Sequence, residues 1–458
     1  MSRENIGSVS VDELEDRLLS FDADVRSDAL RELAARADSG EIAVPASKPE
    51  VNLHLHTFFS FNANRWSPSR IVWEAKKHGL SVVGGVDFDV LDGMDEFLAS
   101  GEMLNVPATF AVETRVFMGE YADLVTNSPN EPGISYYMSA GCYRHPDAGS
   151  YSAQILKSMR DMAAKRNMQV MERVNAHLQT VQIDYGKDVL PLTPSGNATE
   201  RHMLAAYDAK AREVYPGDAA LAEFWAQGLG MSTYDASVIV NDTPRFHERM
   251  RSALMKYGGV GYVKPESDSF PSLETVVEMT RGMGALPSPT WLDGVFPGES
   301  DTASLLEYHI AKGALTVNIV PDRNWNIKDK SEREMKVANL GKLVEASRKL
   351  DLPIGAGTEM NKAGLKFVDD FSAPELQPFV QDLLDGAHFT WGHTVLGSLG
   401  SAGAGSEWCQ AHFGNDRRKM NAFYTEVGRR TDQRNARSPL AGIDLSNAAP
   451  ADILAKLG

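Results

Sequence analysis

Apolar positions recur along this chain at two spacings, and the switch between them divides it into segments. Over residues 8–39, Leu14, Leu18 and Leu19, then Ala29, Leu30, Leu33 and Ala34, fall at helical spacing. Arg26, Arg31 and Arg36 alternate with acidic residues, as on a solvated face. Ser39-Gly40 stops this stretch, and Pro45 to Pro49 link it to a first apolar strand at 51–56. The pattern predicts a helical appendage over 1–48, a candidate contact for a homo-oligomer.

From residue 51 short apolar runs alternate with helical stretches. Ser67-Pro68 sets an N-cap and a first-turn proline for a helix striped by Ile71, Val72 and Ala75, and Gly79 stands at its C′ position. A buried strand at 80–86 runs into Asp87-Phe88-Asp89, and a helix follows from Gly93. The strand at 109–112 runs into Glu113-Thr114-Arg115. Strands separated by helices over such lengths are βαβ units of a parallel sheet. The alternation then breaks. Residues 127–150 read as loop-like, and helices are predicted near 153–180, 199–215, 219–229 and 245–256. Residues 127–256 are therefore expected as a helical insertion over one face of the sheet, a candidate lid.

The alternation resumes with a helix capped by Ser272 and a strand at 285–287 that reaches Ser288-Pro289-Thr290. A helix at 303–312 precedes a strand at 315–320, which ends in Pro321-Asp322-Arg323-Asn324-Trp325-Asn326. A helix at 332–350 precedes a strand at 352–357, which ends in Thr358-Glu359-Met360-Asn361. The first and second parts of a barrel or open parallel sheet are thus placed at 49–126 and 257–370. A mainly helical extension fills 371–458, interrupted by the glycine-rich 396–405.

Bulk properties narrow the partners. The chain has 458 residues, 43% hydrophobic and 24% charged, enough for a large α/β domain with additions. A net charge of −16 argues against a broad nucleic-acid or anionic-membrane surface, while local arginines still allow an anionic small molecule. Cys142 and Cys409 are the two cysteines, too few for a disulfide framework or a thiolate zinc site. Met1-Ser2-Arg3-Glu4-Asn5 leads into an acidic segment without an apolar signal core, and no apolar run reaches membrane-spanning length. A cytoplasmic location and a small-molecule substrate are the expectation.

The candidate chemistry sits where the strands end. In His54-Leu55-His56 the side-chain period of two puts both imidazoles on one strand face, able to grip one metal ion or to stand idle. Six strands expected to run parallel end in polar groups: His54/His56, Asp87/Asp89, Glu113, Ser288/Thr290, Asn318/Asp322/Arg323 and Glu359/Asn361. C-terminal strand ends are where such sheets gather functional groups. The chain has no P-loop, no Gly-x-Gly-x-x-Gly after a strand and no Gly-x-Ser-x-Gly elbow.

His54-x-His56-Thr57-x-x-Ser60, followed by Val86-Asp87-Phe88-Asp89-Val90-Leu91-x-Gly93 and Val112-Glu113, resembles the PHP (polymerase and histidinol phosphatase) domain, densely over 51–117 and by order and spacing through 256–361. The resemblance implies an α/β fold, a distorted (β/α)7 TIM-type barrel with up to three divalent metals at the strand ends. It implies metal ligands at His54, His56, Asp87, Glu113 and Glu359. The sequence departs where the family has histidines: Phe88, Ser288 and Asn361 stand there instead. One ion of the Zn, Mn or Fe kind, or two if His177, His202 or Asp89 join, is the expected complement.

Arg115 and Arg323 read as anion clamps or as structural partners of acids. Asp89 or His393 would carry a proton, although a histidine placed like His393 is more often a packed loop residue. Asn318, Asp322, Asn324 and Asn361 are candidate substrate contacts. The activity expected is hydrolysis of a small polar substrate, foremost a phosphoester. A metal-dependent isomerase or lyase of a sugar or sugar acid, and a non-catalytic metabolite-binding barrel, are the alternatives.

Overall fold

The computed structural model describes residues 9–433, 439–440 and 442–458. The Met1–Asn5 stretch read above lies outside them. Seven strands form one sheet in chain order: β1 Lys48–His56, β2 Leu80–Phe88, β3 Ala108–Phe117, β4 Ile134–Cys142, β5 Leu286–Trp291, β6 Val317–Ile319 and β7 Ile354–Ala356. β1, β2 and β3 are parallel, as are β5, β6 and β7, while β4 runs antiparallel to both neighbours. Just beyond β7, Glu359 bridges back to Leu55 of β1 and brings the sheet round into a nearly closed barrel.

β4 corrects the reading of 127–150 as loop and of all strands as parallel. Its segment, Ile-Ser-Tyr-Tyr-Met-Ser-Ala-Gly-Cys, lacks an apolar run because two serines are buried with partners. Ser139 shares a 2.6 Å hydrogen bond with Thr280, and Ser135 donates to the Asn127 carboxamide at 3.2 Å. Asn127 also donates to the Thr290 carbonyl at 2.6 Å, tying the segment before β4 to β5. A satisfied buried hydroxyl reads in sequence like a loop residue. The helical segment therefore begins after β4, not at 127. Its helices, Tyr151–Leu178, Glu200–Val214, Asp218–Gly228, Thr233–Ile239 and Thr243–Leu254, bury a separate core around Val174, Met203, Tyr207, Trp225, Phe246 and Met250.

The opposite mouth is shut by the helix Val380–Gly400. It lies so close to β7 that a Cβ on Gly386 would fall 2.0 Å from the Ile354 carbonyl oxygen. Within the barrel, alternation aims Thr109, Ala111, Met138, Ala140, Ser288 and Asn318 into a small central cavity. No helix among the described residues is long and apolar enough to cross a membrane.

The appendage forms helices Val11–Arg17 and Ala23–Asp38, and Leu14, Leu18, Leu30 and Leu33 join the barrel's main core. Arg26 departs from the solvated-face reading. It is buried, paired with Glu96, and lies 5.1 Å from the centroid of Phe58, two residues past His56. Glu96 also accepts from the Ser69 amide and hydroxyl, so one carboxylate pins the appendage to the barrel's first helices. Arg26→Ala would strand this carboxylate and is expected to cost about 3 kcal/mol. The exposed Arg31→Ala should cost under about 0.5 kcal/mol. Urea denaturation of the two variants checks the contrast.

Candidate metal centre

β1 presents His54 and His56 on one face, and β3 brings Glu113 to the same side of the barrel. His54 Nε2 and His56 Nε2 lie 3.3 Å apart, and Glu113 Oε2 is 3.3 Å from the first and 3.1 Å from the second. All three residues are buried, and among the described residues they form a group able to share one ion. Ligands bound about 2.1 Å from a tetrahedral ion stand roughly 3.4 Å apart, close to these separations. Two imidazoles and a carboxylate suit Zn, Mn or Fe and leave coordination positions for water or substrate.

The surrounding groups fix which nitrogen faces the ion. Ser60 Oγ donates to Asp87 Oδ1 at 2.6 Å, so it can only accept from His56 Nδ1, 3.1 Å away. With its proton on Nδ1, His56 keeps the Nε2 lone pair for an ion held between it and Glu113. The Asn318 carboxamide faces His54 Nδ1 with its oxygen at 3.4 Å and its nitrogen at 3.1 Å, and the oxygen is the end that accepts when Nδ1 carries the proton. Burial is the largest influence on all three ionisable groups and is not decisive for all of them. It lowers the His56 pKa, but Glu113 overrides it at His54 and raises that pKa. The two imidazoles hold the Glu113 carboxyl down at about 2 against its desolvation.

Asp87 does not join this group. Val86 packs inside the barrel with Ala111 and Met138, and Phe88 pairs with Glu113, so the period of two turns Asp87 away. It accepts instead from the Thr57 amide at 3.1 Å, the Thr57 hydroxyl at 2.7 Å and Ser60. Burial pushes its carboxyl up to about 7 against those bonds. Phe88 takes the inward place, its ring 4.3 Å from that of His56. An aromatic wall thus stands where the resemblance has a ligand.

The other sequence candidates divide by location. Glu359 stays outside the ligand group, because its carboxylate accepts from Arg323 at 2.8 Å, a charge-assisted bond. Its backbone is nearer the centre than its side chain: the amide donates to His54 O at 2.6 Å and the carbonyl accepts from His56 N at 2.9 Å. Asp89, at φ 60°, accepts from the Thr114 hydroxyl at 2.5 Å, and burial raises its pKa. Arg115 pairs with Glu131 at 3.0 Å and lies 4.2 Å from the centroid of Phe270, on which Arg166 also stacks at 4.2 Å.

His202 serves its own helix, accepting from the Thr199 amide at 3.0 Å in a capping box, and burial takes its pKa down to about 4. His177 is exposed and bonds the Gly228 carbonyl at 2.9 Å within the insertion. His393 lies at the closed mouth, bonded to Gly141 O at 3.2 Å, and burial lowers its pKa to about 4. It is removed from Glu113 because Gly141 sits beside the start of β3. Asp322 accepts from Asn326 at 3.0 Å, and Asn324 is a buried strut to the Leu292 carbonyl at 2.9 Å. Asn361 is partly exposed, and its side chain makes no hydrogen bond among the described residues.

Sequence reading gave no role to Tyr136, which pairs with Arg115 across β3 and β4, to Arg166, or to Glu200 with its partners Arg251 and Lys256. Tyr136 lies in the strand read as loop, and the others lie in the insertion. No local motif marks them.

No protein-family model and no curated protein matches the sequence. Among solved structures, an amidohydrolase from Chromobacterium violaceum with bound sulfate and no metal aligns over 72% of this chain and 96% of its own, at 15% identity and a TM-score of 0.47. A provisionally assigned metal-dependent phosphoesterase from Bifidobacterium adolescentis aligns over 74% of this chain and 98% of its own, at 18% identity and a TM-score of 0.45.

Two outcomes follow for metal binding. An ion must displace the proton that Glu113 favours on His54, so affinity should rise with pH up to a His54 pKa above 6.5 and then level off. Zinc titration calorimetry in buffers of different ionisation enthalpy reads the released proton directly. Ser60→Ala removes the acceptor that orients His56 and should weaken zinc binding roughly 10- to 100-fold. Zinc competition with a chromophoric chelator measures that loss.

Proposed function

We propose that this protein is a metal-dependent hydrolase of a small anionic substrate, foremost a phosphoester. The observation that carries the reading is the buried His54–His56–Glu113 group under a mouth lined with cations. His54, His56 and Glu113 would hold a divalent ion, whose chemistry there would be to acidify water and polarise a substrate oxygen. The chain's own groups do the rest. Ser60 and Asn318 keep the imidazoles oriented, and Phe88 closes one side of the centre to water.

Arg323 is the better anion clamp of the two arginines. Its side chain is 45% exposed, its guanidinium contacts Glu359 through one nitrogen, and its other donors are free to meet an oxyanion. Arg115 is held sideways by Glu131 and adds its charge at longer range. Asp89, kept from ionising readily by burial, is placed to hold a proton near Arg115 and Arg166. Neutral groups would favour sugar hydroxyls, but Asn318 is committed to His54 and Asn324 to a backbone carbonyl. That weighs against the isomerase or lyase alternative.

Purified protein is expected to carry divalent metal by mass spectrometry and to hydrolyse members of a phosphoester panel. Glu113→Gln should lose the metal and lower turnover roughly 100-fold or more. Retained metal and turnover in this variant would sink the proposal, and turnover confined to sugars would transfer it to the isomerase or lyase class.

A further inference from the structure

The insertion meets the segments that follow β1 and β2 through its loop 193–199, which precedes the helix Glu200–Val214. Asn197 in this loop is 4% exposed. Its Nδ2 donates to the Phe59 carbonyl at 3.1 Å and to the Phe88 carbonyl at 2.9 Å. Phe59 belongs to the turn after β1, and Phe88 is the last residue of β2. A carboxamide nitrogen carries two hydrogens, so both are spent, one on each segment.

The two carbonyls belong to residues that meet His56 or its partners. Phe59 precedes Ser60, whose hydroxyl faces His56 Nδ1 at 3.1 Å, and the Phe59 amide donates to Thr57 Oγ1 at 3.1 Å. Thr57 and Ser60 both donate to Asp87. Phe88 holds its ring 4.3 Å from that of His56 and is paired with Glu113 across β2 and β3. Little room separates the two segments: a Cβ on Gly93 would fall 2.9 Å from Asp87 Oδ2 and 3.1 Å from the Phe59 ring.

The loop that delivers Asn197 is held by other residues. Gly196 N donates to Thr193 Oγ1 at 2.8 Å, and Asn167, on the helix Tyr151–Leu178, donates to the Ala198 carbonyl at 2.7 Å. Ser195 Oγ donates to Asp92 Oδ2 at 2.5 Å. Arg160 meets the same carboxylate oxygen at 3.2 Å and also bonds the Ser195 carbonyl. Ser195, Arg160 and Asp92 thus anchor the loop to the barrel. The Asn197 bonds have a separate effect: they set where the β1 turn and the end of β2 stand relative to each other.

We propose that Asn197 is a positioning residue of the candidate metal centre, contributed by the insertion. It ties the β1 turn to the end of β2, so that Ser60 and Phe88 stay seated against His56. The insertion is then a fixed part of the site and not a lid that leaves it. The inference rests on the hydrolase reading only for the ion; the tie itself forms in the metal-free chain.

Three variants of the full chain test it: Asn197→Ala, Asn197→Asp and Ser195→Ala. Each is measured by zinc competition with a chromophoric chelator, by melting temperature and, after metal stripping, by amide hydrogen exchange over 57–61 and 86–89. Asn197→Ala is expected to bind zinc roughly tenfold more weakly than wild type and to exchange faster over both segments. Asn197→Asp keeps the volume, but its carboxylate offers the two carbonyls no donor. It should lose at least as much, which a space-filling role would not produce, and it decides the matter if Asn197→Ala does not fold. Ser195→Ala should lower the melting temperature and leave zinc affinity unchanged. Wild-type zinc affinity in either folded Asn197 variant, or an equal loss in Ser195→Ala, overturns the proposal. If wild type takes up no zinc, the hydrolase reading falls and exchange alone decides the tie. Faster exchange in the Asn197 variants then upholds it, and unchanged exchange overturns it.

Discussion

The barrel closes on a pair of backbone hydrogen bonds, and the candidate metal centre depends on them. Glu359 donates its amide to the His54 carbonyl and accepts from the His56 amide, gripping β1 on both sides of Leu55. To do so the chain adopts positive φ at two consecutive non-glycine residues, 69° at Glu359 and 53° at Met360. Such conformations persist where surrounding contacts over-determine them. Gly357 shows how tight the closure is, since a Cβ there would fall 2.3 Å from the Cβ of His54. The residue that resembled a metal ligand thus acts on the centre chiefly through its main chain.

Around this closure, charge is balanced by position. The two imidazoles hold the Glu113 carboxyl below the usual carboxylate range, and Glu359 is paired with Arg323. Asp87 has no cation among its partners and relies on hydroxyl and amide donors. These three acids, close in the barrel, therefore have three electrostatic roles: ligand, counter-ion and orienting acceptor. The appendage joins the same system from outside, since Arg26 packs over Phe58 and Phe21 meets the same ring edge-on at 5.4 Å. Phe58 belongs to the turn that carries Thr57 and Ser60 to Asp87.

Legibility in the sequence followed the range of the interaction concerned. Helix ends were readable because caps are local: Ser67, Ser272 and Thr199 each accept from an amide of the following turn. His54 and His56 were readable because the period of two needs only a strand. β4 was not, since Ser135 and Ser139 are explained by partners at Asn127 and Thr280. Asp87 was misjudged although the alternation of Val86 and Phe88 around it carried the signal, because the motif outweighed the period.

By itself the sequence determined the alternation of strands and helices, the imidazole pair on one face of β1 and the acidic strand ends, all set by spacing along one segment. The tertiary structure decided that Glu113 is the acid that faces the imidazole pair, that Glu359 and Asp87 are held by Arg323 and Ser60, and that His177, His202 and His393 stand apart. It also decided that Lys256 and Arg251, far along the chain, meet Glu200. Those outcomes depend on strand register, barrel closure and the docking of an insertion with its own core, and none of these is encoded in the spacing of neighbouring residues.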